Sequence, residues 1–70
     1  MISYKPFYET MFRRNMTEYA LIFKHGMPAN TLHRIKHGQP ITTKTLDALC
    51  SILECRVEDI LEYVPPEDLQ

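Results

Sequence analysis

The stretch TEYALIFKHGMPANTLHRIKHG, Thr17 to Gly38, decides the fold. It reads as two short helices around a tight turn. Thr17 is a good helix N-cap, because its side-chain oxygen can accept from an unpaired N–H of the first turn. The helix it opens is expected to run to about His25. Gly26 follows, and glycine enters the left-handed conformation that closes a helix without steric cost. Met27 and Pro28 open a second helix, expected to reach His37, with Gly38 as its stop. Two helices joined this tightly are held at a steep angle. Leu21, Met27, Leu32 and Ile35 supply the apolar contacts that lock it. At roughly 100° per residue, Leu32 and Ile35 mark the buried side of the second helix, and Asn30, His33, Arg34 and His37 fall on the other.

Those four side chains are all hydrogen-bond donors, and none is acidic. Arginine can bind guanine O6 and N7 together, and asparagine can bind adenine N6 and N7 together. Histidine can donate to an N7 or a phosphate oxygen. No Asp or Glu occurs from Gly26 to Lys44, which suits a face that approaches phosphates. The plainer alternative is a solvated basic face.

The flanks read as further short helices. Pro6 fits a first helical turn, and Phe7, Tyr8, Met11 and Phe12 recur at helical spacing before Asn15 stops the run. Tyr4, Phe7, Tyr8 and Phe12 are expected to pack in the core. Thr42 or Thr43 caps a fourth helix, in which Leu46, Leu49, Cys50 and Leu53 form one apolar stripe. Val57, Ile60, Leu61 and Val64 mark a short fifth helix, and Pro65-Pro66 ends regular structure. The expectation is an all-α domain of five helices over residues 1–64, with no strand and a flexible tail at 65–70.

Composition narrows the function. With 70 residues, a core leaves no room for a catalytic cleft beside it, and no nucleophile–base pair or phosphate-cradling glycine loop occurs. An enzyme is not expected, nor a cofactor or a small-molecule effector. No apolar run approaches the roughly 18 residues of a membrane span, and the N-terminus has no signal pattern. A cytoplasmic location and reduced Cys50 and Cys55 are expected. His33 and His37 lie four apart on one helix, but no third ligand is evident, so no metal site is assigned. Cys50 reads as a buried small hydrophobe.

The net charge is −1, and it divides sharply: seven of the eight Lys and Arg residues but only Glu9 and Glu18 lie in residues 1–44. The rest of the chain sets Arg56 against seven carboxylates. That asymmetry suits one face turned to a polyanion and another turned away.

Tyr19-Ala20-Leu21-Ile22, the run Gly26 to Gly38, Pro40-Ile41-Thr42, and the Leu46, Leu49, Cys50, Leu53, Cys55 pattern together resemble small bacterial regulators of the Cro/C1 (Xre-like) helix-turn-helix type. The resemblance covers about Ile2 to Val64. It implies a lambda-repressor-like domain that binds double-stranded DNA and regulates transcription, with Pro28 to His37 as the recognition helix in the major groove. Ala29, Asn30, His33 and Arg34 would then lie near base edges. Thr17, Thr31, Lys36 and His37 would lie near backbone phosphates, together with Thr42, Thr43 and Lys44 at the start of the fourth helix. Members of this type often carry a capping side chain where Pro28 stands, and a neutral Gln where Glu18 stands.

One such unit binds weakly alone, so a homodimer is expected. Ile60, Tyr63 and Val64 are its candidate contacts, and closure of the monomer core is the alternative use of these residues. A protein-interaction module, such as an antitoxin-like partner or a modulator of another regulator, is the competing reading. It rests on the near-zero net charge and Glu18.

Overall fold

The computed structural model describes residues 1–69; Gln70, the last residue of the expected tail, lies outside them. A strand β1 (Ile2–Ser3) is followed by helices α1 (Lys5–Arg13), α2 (Glu18–Phe23), α3 (Ala29–Lys36) and α4 (Thr43–Leu53). A 3-10 turn at Val57–Asp59, a strand β2 (Glu62–Tyr63) and a second 3-10 turn at Pro66–Leu69 complete the chain.

Local chemistry sets most boundaries. The Thr17 hydroxyl accepts from the Ala20 N–H at 3.1 Å, and the Thr42 hydroxyl accepts from the Thr45 N–H at 3.1 Å. Pro6 lies in the first turn of α1, and Asn15, at φ 54°, turns the chain out of that helix. Gly26 and Gly38 take φ of 72° and 68°. Glu54 also adopts the left-handed conformation, φ 51°, where α4 ends. A glutamate there carries no stop signal, so the boundary shows in the sequence only as the end of the apolar stripe.

Four helices form, not five, and the all-α expectation needs a small sheet added. The segment expected to be a fifth helix makes a single 3-10 turn and then pairs with the N-terminus, antiparallel, with Ile2 opposite Tyr63 and Ser3 opposite Glu62. The Val64 N–H donates to the Met1 carbonyl at 2.7 Å, and the Met1 ammonium donates to the Val64 carbonyl at 2.6 Å. Backbone groups of the first three residues thus find partners 59 to 63 positions away, which no local pattern announces. Beyond the ribbon the backbone winds into the turn at Pro66–Leu69.

The core is Tyr4, Phe7, Met11, Leu21, Met27, Leu32, Ile35, Leu49, Leu53 and Ile60. Every helix contributes, so each short helix is held by tertiary packing, as its length requires. Tyr4 and Phe7 are buried as expected, but Phe12 is 87% exposed and Tyr8 41%. On α1 the buried arc is Phe7, Thr10 and Met11, and Phe12 falls just outside it. Ile60 is fully buried. It closes the core of the monomer, and its assignment as a dimer contact is withdrawn.

Thr10 is also buried, and its hydroxyl donates to the Asp59 carbonyl at 2.6 Å while accepting from Arg13 at 2.9 Å. This pins α1 to the turn at 57–59. Arg14 reaches the Glu54 carbonyl at 2.8 Å.

Candidate nucleic-acid interface

Helix α3 is built from its buried side outward. Thr31, Leu32 and Ile35 are the buried residues of α3, with Met27 buried in the preceding turn and Leu21 beneath in α2. The chain reverses through Gly26 in the left-handed region, and the Met27 N–H closes the turn on the Leu21 carbonyl at 2.9 Å. Pro28 takes the N-cap position in an extended conformation and supplies no side-chain cap. The first turn of α3 therefore begins without the capping oxygen that members of the resembled family often carry, and its N–H dipoles point outward from an exposed helix start.

Ala29, Asn30, His33, Arg34, Lys36 and His37 are all exposed. Asn30, His33, Arg34 and His37 share one face by their spacing. The His33 and His37 rings stand 4.3 Å apart, centre to centre, tilted by 53°. Two imidazoles in contact form one broad donor surface beside Arg34. Among the described residues no group of three or more His, Cys, Asp and Glu is placed to hold a metal ion.

The end of α3 is fixed from outside the helix. The Gln39 N–H returns to the Arg34 carbonyl at 2.8 Å, with Gly38 in the left-handed conformation before it. The Gln39 carbonyl in turn accepts from the hydroxyl of buried Tyr4 at 2.7 Å. Tyr4 therefore holds the C-terminal end of α3 as well as filling core. The sequence marks it as aromatic and nothing more; its partner lies 35 positions away.

Flanking groups complete the surface, with one exception. Thr17 is exposed at the start of α2, and its oxygen caps the helix while its O–H stays available to donate. Thr42, Thr43 and Lys44 are exposed at the start of α4. Thr31 does not join them: it is 5% exposed and lies against a recess lined by Lys44, Thr45 and Ala48 of α4. One position before Leu32 on the helix, it falls within the buried arc, so its proposed phosphate contact is withdrawn.

The charge pattern needs a similar correction. Arg13 stands 3.6 Å from the Asp59 carboxylate, and Arg14 donates to the Glu54 backbone carbonyl. Both face the acidic C-terminal segment, leaving Lys24, Arg34, Lys36 and Lys44 as the cations of the helix-turn-helix region. Glu18 shares a recess with Lys36 and Tyr8. Burial pushes the Tyr8 hydroxyl pKa up, and the Glu18 carboxylate adds to the shift.

No helix among the described residues is long and apolar enough to cross a membrane. Both cysteines are free and half-buried. Burial pushes the Cys55 thiol up to about 11, with Cys50 and Asp59 adding to it. A thiol held in its neutral form is a poor nucleophile.

Comparison with known proteins bears on this surface. A family model described as the Cro/C1-type HTH DNA-binding domain matches residues 9–66. An uncharacterized HTH-type transcriptional regulator of Bacillus subtilis (strain 168), YozG, is 38% identical over 58 residues, which span 80% of this chain and 69% of that protein. The crystal structure of the transcriptional regulator VanUg, Form II, superposes with a TM-score of 0.81 at 25% identity, over 91% of this chain and 85% of that one.

Proposed function

The chain belongs to the Cro/C1-type helix-turn-helix DNA-binding family, and from that premise we propose that it is a sequence-specific regulator of transcription, acting as a repressor. In this reading α3 lies in the major groove. Asn30 and Arg34 read base edges, with Ala29 and His33 beside them. Lys36, His37, Thr17, Thr42, Thr43 and Lys44 hold the backbone on either side. The observation that carries the proposal is the outward face of α3. It is donor-lined and free of carboxylates, and it is held by a core that Leu32 and Ile35 enter from behind. A repressor needs only to occupy its site, which a helix-turn-helix unit does by binding alone.

The protein acts as a homodimer in this proposal. A single recognition helix makes few base contacts, and pairing two half-sites multiplies weak affinities. Tyr63 is 64% exposed and Ile2, its partner across the ribbon, 45%. With half-buried Val64, they offer apolar surface for the second copy. Selection of bound duplexes from a random DNA pool tests the reading. A palindromic consensus with half-sites about one helical turn apart is expected; recovery of no consensus refutes it.

Glu18, beside the expected phosphate path, favours one other reading, in which the fold serves as a protein-interaction module. Passage of the folded protein through heparin at low salt would support that reading over ours.

A further inference from the structure

A second surface lies apart from the recognition face. Between α1 and the 57–62 segment runs an open groove of about 730 Å3, within the roughly 300–1,000 Å3 range of ligand-binding clefts. Its apolar part is Phe12, Tyr8 and Pro6, and its rim carries Glu9, Glu58, Asp59 and Glu62. None of the residues assigned to DNA lines it.

Three observations set this groove apart from ordinary surface. Phe12 is 87% exposed, the most exposed of the large apolar side chains, and a bare aromatic ring in a groove is the kind of anchor that interfaces use. The walls are fixed beforehand: the Thr10 hydroxyl and the Arg13 guanidinium tie α1 to the turn at Asp59. Tyr8 packs edge-on against buried Phe7, ring centres 5.1 Å apart at 74°, so its ring is oriented without a ligand. Finally, four carboxylates line the groove against the single cation Arg13, which Asp59 already engages. Arg56, which does not line the groove, pairs with Glu58 at 3.4 Å, and both side chains are well exposed.

We propose that this groove docks a basic, apolar segment of a protein partner, its Arg or Lys side chains meeting Glu58, Glu62 and Glu9 while an apolar side chain lies on Phe12 and Tyr8. Charge complementarity selects this occupant. A symmetric contact with a second copy would bring the same carboxylates face to face, which is repulsive, and a nucleic acid is repelled for the same reason. A guanidinium or ammonium also gains by lying over an aromatic face, so the rings and the acids favour the same ligand chemistry.

The test uses the full chain, isotopically labelled, titrated with a synthetic leucine–arginine peptide and with the same peptide carrying glutamate for arginine. Amide shifts confined to residues 7–13 and 58–62, with the arginine peptide alone, are expected. The paired change Glu58→Gln with Glu62→Gln should weaken binding about tenfold, and added salt should weaken it further. Phe12→Ser, at an exposed position, should also weaken it while leaving retention on DNA unchanged. Absence of shifts, equal shifts with the glutamate peptide, or binding indifferent to Phe12→Ser overturns the proposal. A dimer that Phe12→Ser splits in sedimentation also overturns it, because a second copy would then be the occupant.

Discussion

Removal of the Arg34 side chain tests the recognition face most directly. Arg34 is exposed on the second turn of α3, and neither of the salt bridges among the described residues involves it. Arg34→Ala should therefore leave folding stability within about 0.5 kcal/mol. A guanidinium that reads guanine contributes about 1–3 kcal/mol of binding and of discrimination. That corresponds to a roughly 5- to 150-fold rise in Kd. Geometry makes the prediction sharper. The four steps from Asn30 to Arg34 rise about 6 Å along the helix. With α3 lying along the groove, that distance is about two base steps of 3.4 Å. Arg34→Ala should relax one position of the site, and Asn30→Ala a position about two base pairs away. Fluorescence anisotropy against every single-base variant of the selected site reads both. Lys44→Ala serves as the contrast: all sequences should weaken alike, and the salt slope should fall by about one. If Arg34→Ala lowers affinity for every variant by the same factor, Arg34 touches only phosphate and the base-reading argument fails.

Ile60→Ala should destabilise the isolated domain by about 2–5 kcal/mol, read by urea unfolding, because Ile60 is fully buried; a stable variant that merely becomes monomeric would contradict its place in the core. Gly26→Ala should cost about 1–2 kcal/mol through left-handed strain alone, since nothing lies within 4 Å of the added carbon. An unchanged unfolding midpoint would show that the turn relaxes. The Cys55 thiol titrates at about 11 in the folded protein, above its ordinary 9.0. The unfolded chain thus loses this proton first. Cys55 should cause no loss of stability below a pH of about 9, and a progressive loss from there toward about 11. Cys55→Ala should flatten that fall in urea titrations, and an identical pH profile would count against the buried thiol.

Much of the recognition unit was legible in the sequence because local chemistry fixes it. Thr17 and Thr42 cap by their own hydroxyls, Gly26 and Gly38 take the positive φ that few other residues tolerate, and Leu32 with Ile35 sets which side of α3 faces out. Each is decided by residues within one or two turns of one another. The exposed set Asn30, His33, Arg34 and His37 follows from that alone. Thr31 was misplaced because it sits at the edge of the apolar arc, where only the approach of α4 decides which side is covered. Phe12 was misplaced likewise: helical spacing puts it near Met11, but the neighbours of α1 cover Phe7, Thr10 and Met11 and stop short of Phe12.

What the order of residues determined was therefore the helices, their turn and the chemistry of the outward face. Tertiary structure alone decided that residues 2–3 pair with 62–63 as a ribbon, that Ile60 closes the core, that Tyr4 holds the far end of α3, and that Arg13 and Arg14 turn toward the acidic segment. These depend on partners 35 to 63 positions apart for the ribbon and Tyr4, and 40 to 46 apart for the two arginines. Caps and helical periodicity act within a few residues. Contacts at such separations arise only when the whole chain has packed.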